Sequence, residues 1–531
     1  MMHSKMKKLA LAVGLGLGGL ALIPSTQAMN LATDGLGQVL IFPYYTVQGG
    51  WTTLFNITNT SDQIVAAKVR FHESYNSRDV FDFNVIMSPH DVWNGWVADN
   101  GEGPSFHTED KTCTTLVNVP VDVAADGVPF YAPDLGIDGT IAYTGSAADG
   151  GPTDITRMNE GYVEVIMMGA STTSFVPAIA FPGSDLILGA IHSNGTPPGC
   201  QRLATAFLTY PGNIGTDSFA TLQAYFNRPN RNNSLNPLKG SYNLVNASKG
   251  WTASGSPTTI ANFTTIPLMT TTLPSGGGVP FNLSFLEPSL NSGNTRPVGT
   301  GPTDAALPVL ATTAGGVNAV STLLARTHVI NQWTRITQST NAWVTASDSV
   351  LTFPTKAFYV DNWPGSDFSA RAAGRTTVAL PTIPVAVPTA YPTPFPQTFD
   401  DSTTNPVTRR GSASLGIPFS IYNREEAAQT GAGISPGTNR VMLYESNVLT
   451  FGVPGSTGTN ILASANPRGI TPLPGDSGYF DILLTAADAT NIPQGLPVIS
   501  FGITSRDTGD GTLNEAFLID AAYSRSTAGN P

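Results

Sequence analysis

Lysine nearly disappears from this chain after its first eight residues. Beyond Lys5, Lys7 and Lys8, only Lys68, Lys111, Lys239, Lys249 and Lys356 occur. Charge of either sign is scarce: Asp, Glu, Lys and Arg make up 12% of the chain, about half the usual share. The formal net charge is −11, and it becomes more negative by three once the first 28 residues are set aside. An acidic, lysine-poor surface repels phosphate backbones and anionic lipid headgroups, so nucleic-acid binding is excluded as a function. Cysteine is limited to Cys113 and Cys200, which rules out a paired-cysteine zinc site. Long hydrophobic runs are missing too. After residue 28 no apolar stretch approaches the ~20 residues of a membrane-spanning helix. No terminal aromatic strand of the outer-membrane type closes the chain, and no cysteine follows residue 28 closely enough to carry a lipid. The sequence thus predicts no integral membrane segment in the mature protein.

Residues 1–28 themselves have a different character. A basic start is followed by an apolar run from Leu9 to Ile23, then Pro24 and the small-residue box Thr26-Gln27-Ala28. This is the order of a signal peptide, with an apolar run too short to span a bilayer. The expectation is an exported protein beginning near Met29 and found outside the cell, at its outer surface or in the periplasm. Two cysteines fit that address. In an oxidising compartment an even pair closes a disulfide, so Cys113 and Cys200 are expected to be bonded, with two buried thiols as the alternative.

With 54 Gly and 41 Pro among abundant Thr, Val and Phe, the chain reads as many strands joined by turns. Four strand-like runs follow one another between Gly37 and Val97. In the third, Val65, Ala67, Val69 and Phe71 face one way, and Lys68, Arg70 and His72 the other. In the fourth, Phe81, Phe83, Val85 and Met87 oppose Asp82 and Asn84. Alternation of period two in successive runs marks antiparallel strands with one buried face. Lys68, Arg70 and His72 are accordingly expected in solvent. Further strands are predicted at 161–170, 350–361, 441–451, 479–486 and 496–503, and helices at 218–226 and 318–332. The fold class is mainly β, with two or three antiparallel, immunoglobulin-like β-sandwich domains and few short helices. The expected organisation is a signal peptide (1–28), an N-terminal sandwich (29–235), a Thr/Gly/Pro-rich middle part (236–378), a Pro-rich linker (379–404) and a C-terminal β domain (405–531).

Several motifs are specific as wording. They are FPYYT, then W-x-T-L-x-x-I-T-N-T, then A-K-V-R-F-H-E-S-Y-N-S-R-D-V-x-D-F-N, then S-P-H-D-V-W. LTFPTKAFYVD and Tyr422-Asn423-Arg424-Glu425-Glu426 follow later. Together they resemble a group of uncharacterised exported proteins of Gram-negative bacteria, along the length of the chain. The resemblance implies a shared fold and carries no assigned activity.

Candidate chemistry is sparse. Gly475-Asp476-Ser477-Gly478 echoes a protease nucleophile segment, yet no histidine upstream has a matching setting, and a turn ahead of a strand accounts for it. His72, His90, His107, His192 and His328 show no metal-ligand spacing. Asp507, Asp510 and Glu515 form a loop with the composition of a calcium site but out of register with the EF-hand pattern, so calcium is the first cofactor to test, ahead of zinc or copper held by His72, His90 and His107 at the strand ends. Asp149, Asp154 and Asp400-Asp401 are weaker relatives. Tyr44, Tyr45, Trp51, Trp93 and Trp96 could form a sugar platform or pack inside. With no catalytic constellation, the sequence favours a structural or interaction protein over an enzyme: a surface-layer, matrix or adhesion component, self-associating or bound to cell-envelope components. The alternatives are a secreted hydrolase acting on polysaccharide or polymer, and a periplasmic binding or metal-handling module.

Overall fold

The structure, a computed structural model, describes residues 29–75, 77, 79–116, 123–130, 152, 154–171, 186–208, 235–264, 268, 288–290, 317–338, 343–357, 394–395, 415–416, 419–424, 428–430, 441–442, 444–451, 460–465, 467–470, 475–484, 495–508 and 514–524. The expected signal peptide, the 218–226 helix and most of the 379–404 linker lie outside these residues.

Mainly β architecture is what the chain adopts, with several antiparallel sheets and few helices. A seven-stranded sheet runs in the order Asn30–Leu31, Thr258–Ala261, Val39–Thr46, Glu160–Ala170, Val65–Glu73, Asp79–Met87, Cys113–Thr114. A six-stranded sheet runs Trp251–Gly255, Leu238–Asn246, Trp51–Asn59, Val92–Asp99, Pro104–His107, Val128–Pro129. Both sheets take strands from beyond residue 235. The alternation read from the sequence aims one face of each sheet inward, and these faces share one core. Phe42 of the first sheet meets Phe55 of the second edge to face at 5.3 Å. Phe71, Phe81, Phe106 and Phe130 stack around one another deeper in. Tyr44, Tyr45, Trp51 and Trp93 are buried in this core, and Trp96 lies flat on His107. Four of the five aromatics weighed as a sugar platform are therefore interior packing, since large rings remove more apolar surface from water inside than they could outside; the half-buried Trp96 is on the outward face.

The later part of the chain builds a five-stranded sheet (Ala428–Thr430, Phe419–Asn423, Ser477–Leu483, His328–Thr334, Ala522–Ser524). It also builds a six-stranded one around Trp343–Thr352, flanked by Ser446–Phe451 and Ile499–Asp507. Trp333, Phe451 and Phe480 pack between them. The two parts are fused. Ala346, Val350, Phe501 and Ile503 belong to the same core as Tyr44 and Tyr242. The Thr352 hydroxyl donates to the Pro43 carbonyl at 2.6 Å, and the Trp51 indole to the Ile461 carbonyl at 2.8 Å.

One predicted helix is shortened. It spans Val317–Leu324, with Val320 and Leu324 buried, and His328–Thr334 is a strand. Val329, Asn331 and Trp333 alternate inward there, and the whole segment is registered on Ser477–Leu483. A ladder of backbone hydrogen bonds to a distant strand overrides the local helical stripe. The Cys200–Leu208 helix had no counterpart in the sequence reading.

Candidate functional site

The outer face of the seven-stranded sheet, expected in solvent, is buried. Lys68 is 0% exposed, Arg70 and His72 1% each. The strand Val65–Glu73 is central, and segments from far along the chain cover it. The Arg70 guanidinium donates to the Pro288 carbonyl, and the Tyr162 hydroxyl to the Pro354 carbonyl. Ile187, Leu188 and Leu203 pack on the same face beside Ala66 and Ile86.

Strand register arranges this face as rows. Ile166, Lys68 and Asn84 stand side by side, then Glu164, Arg70 and Asp82, then Tyr162 and His72. The Lys68 ammonium lies 3.7 Å from a carboxylate oxygen of Asp82. His72 places Nε2 3.4 Å from Glu164, contacts the Ser77 carbonyl through Nδ1 at 2.9 Å, and stacks on the Tyr162 ring at 4.9 Å. The Tyr162 hydroxyl oxygen is hydrogen-bonded to Ser77 Oγ at 2.8 Å, and burial beside Glu164 pushes its ionisation well above the usual range. Close by, Lys356 and Glu445 form another fully buried pair at 3.8 Å, and burial lowers the Lys356 ammonium from its ordinary value. Charges of both signs thus sit together in a water-poor layer, where unpaired charge would be very costly.

A second buried cluster joins the two parts of the molecule. Tyr44 donates to one oxygen of Glu160 at 2.5 Å, and Ser464 donates to the other at 2.9 Å. Asp348 accepts from the Leu462 backbone N–H at 2.9 Å. Burial raises both carboxyl groups above their ordinary values, and Tyr44 is raised as well by burial beside Glu160. A carboxyl whose folded pKa exceeds its unfolded one contributes its full stability below the unfolded value. That stability is lost as pH rises toward the folded value. Each unit of difference is worth about 1.4 kcal/mol. Asp348→Asn is therefore expected to flatten the decline in urea midpoint between weak acid and alkaline pH. An unchanged slope in the variant would show that Asp348 is charged in the fold.

The other sequence candidates are dispersed. Cys113, in the edge strand, and Cys200, at the start of the helix, are neighbouring thiols in hydrogen-bond contact, not a bonded pair. Burial beside Cys200 pushes the Cys113 thiol far up, while the hydrogen bond from Cys113 lowers Cys200. Asp507 ends the Ile499–Asp507 strand, Glu515 opens Glu515–Asp520 and is paired with Arg506 at 3.2 Å, and Asp510 lies outside the described residues. Asp149 and Asp400-Asp401 also lie outside them, and Asp154 caps a short helical turn by accepting from Thr156 N–H. No group of three His, Cys, Asp or Glu among the described residues is placed to hold a metal ion.

Ser477 opens its strand opposite Thr334, whereas His328 stands opposite Leu483 at the far end, paired with Asp481 at 2.8 Å. The protease reading has no geometry. Ser88, His192 and Asp91 do cluster, but Ser88 and Asp91 both address the same ring nitrogen, so no proton can pass through the imidazole between them. His90 pairs with Asp62 in solvent, and His107 bonds to Ser105 and Ala124. Among the described residues, Asp62 is the one ionisable side chain lining an open cleft of about 300 Å³ beside Leu235 and Pro237. Among the described residues no helix is long and apolar enough to cross a membrane.

Fold and site together define a mainly β protein with several ionisable groups buried behind one sheet. No family model, curated protein or solved structure matches the chain.

Proposed function

We propose that this is an exported structural and interaction protein of the cell surface or extracellular space: a surface-layer, matrix or adhesion component built from sandwich-like modules. The observation that supports it best is the outward face of the six-stranded sheet. Its rows read Lys239, Thr58, Val92, then Ser241, Asn56, Asn94, then Asn243, Leu54, Trp96. Every one of these side chains is at least partly exposed, and Lys239 carries their one charge. A broad, regular face of amides, hydroxyls and a Trp, with the Asp110 carboxylate bonded to Asn94, offers hydrogen bonds at strand spacing with little charge. That suits a second copy of this chain or a polymer of the cell envelope. The charged clusters, by contrast, are buried and engaged within the fold.

Protease shaving of intact cells, with immunoblotting of the fractions, tests the reading. The protein is expected at the outer surface or in the medium, and the Asn56→Lys/Asn94→Lys variant is expected to lose at least tenfold in self-association or cell binding with its melting temperature unchanged. A monomer confined to the periplasm sinks the idea. The thiols give an internal check: in an oxidising compartment Cys113 and Cys200 are expected to close, leaving no thiol to alkylate in the denatured exported protein.

A further inference from the structure

Lys68 and Asn84 stand directly opposite each other on adjacent antiparallel strands, on the same face. Their Cβ atoms are then about 5 Å apart, well within the reach of a lysine side chain. Asp82 is two residues before Asn84 on that face, and its carboxylate is the group 3.7 Å from Lys68 Nζ. The three are buried to 0%, 6% and 4% exposure. Ala66, Ile86 and Ile166 wall the site on the Lys68 side. The Asn84 side-chain oxygen makes no hydrogen bond among the described residues. An ammonium, a carboxamide and a carboxylate thus stand next to one another on one buried face.

We propose that Lys68 and Asn84 become joined by an amide bond from Lys68 Nζ to Asn84 Cγ, formed within the folded chain with Asp82 as the proton-transfer group. Burial disfavours the separated charges of the Lys68–Asp82 pair, so a proton passes from the ammonium to the carboxylate and leaves a neutral amine. Its lone pair adds to Cγ while the Asp82 proton supports the carbonyl oxygen. Asp82 then relays a proton from Nζ to the departing nitrogen. The Cγ–Nζ bond forms, the Cγ–Nδ2 bond breaks and ammonia leaves; no oxidant or cofactor enters. The fold supplies the reactivity by holding the groups side by side on adjacent strands, the effect that gives intramolecular reactions effective concentrations of roughly 10⁵–10⁸ M. Arg70 stands in register with both Glu164 and Asp82, between two carboxylates. The inference rests on this placement alone and is independent of the surface role.

Peptide mass spectrometry of the full-length chain, denatured and digested with trypsin, decides the matter. The expected product is a branched peptide in which the Lys68–Val69 bond is uncut and the Asn84 peptide is attached, lighter by one ammonia than the two apart. Asp82→Asn, checked as folded by circular dichroism, is expected to yield the two peptides unjoined. Unjoined peptides from the wild type overturn the proposal, as does a branch at Asp82 with loss of water. A cross-link that persists in Asp82→Asn overturns the role given to Asp82.

Discussion

Glu73→Ala is expected to destabilise the protein by about 3–5 kcal/mol, the range for removing one partner of a buried ion pair. Glu73 and Arg157 are both fully buried, and Arg157 donates to one carboxylate oxygen at 3.1 Å. The other oxygen accepts the Tyr75 backbone N–H at 2.7 Å. The substitution therefore strips a guanidinium of its carboxylate and a backbone donor of its acceptor at once. The loss should spread, because Arg157 lies over the Tyr75 ring at 4.9 Å, Tyr75 packs on Tyr444 at 4.6 Å, and Arg468 lies over Tyr444 at 5.6 Å. This stack carries the effect from the first sheets to the last. Equilibrium urea unfolding measures it, and Glu73→Ala/Arg157→Met should recover part of the loss by removing the stranded charge. A single-variant cost below about 1 kcal/mol would mean that water reaches the pair.

Phe71→Ala is expected to cost a similar amount, about 3–5 kcal/mol, through a different cause. Phe71 is fully buried and its ring meets five others: Tyr45, Phe55, Phe81, Phe106 and Phe130, at 5.1 to 6.1 Å. Rings contributed by several strands cannot all move into the space left behind, so a cavity persists. Phe71→Leu should lose much less. Val92→Ala, at a side chain 46% exposed, should stay within about 0.5 kcal/mol of wild type. Equal losses at Phe71 and Val92 would contradict this packing.

How far the sequence could be read follows from which forces are local. Alternation in residues 65–71 and 81–87 correctly assigned Val65, Ala67, Val69, Phe71, Phe81, Phe83, Val85 and Met87 to the core, because period two is a property of the strand itself. The same rule sent Lys68, Arg70, His72, Asp82 and Asn84 to solvent, and there it failed. Their cover comes from residues near 187, 203, 288 and 354, and nothing in the local pattern announces a second layer. The matching of Lys68 with Asp82 and of His72 with Glu164 was present in the sequence only as charge balance within two strands and a third some ninety residues on. The helical stripe through 317–324 was legible; the strand from His328 was hidden because its partner lies about 150 residues away. Asp348 and Glu160 offered no signal, since their burial depends on the approach of the 460–464 loop.

The strand order has a kinetic consequence. Val39–Thr46 takes its neighbours from Glu160–Ala170 and Thr258–Ala261, and Trp343–Thr352 waits for Ser446–Phe451 and Ile499–Asp507. Nearly every sheet is closed by pairs far apart in sequence, so loop-closure entropy must be met before the pairing rewards it, and folding is slow. A chain made from its N-terminus cannot complete even its first sheet until residue 261 has emerged, and its hydrophobic strands are open to mispairing until then. A segment cut at residue 235 would leave Trp51–Asn59 without Leu238–Asn246 along one whole side, an unprotected edge nine residues long. Such a fragment is more prone to join its own kind than to fold.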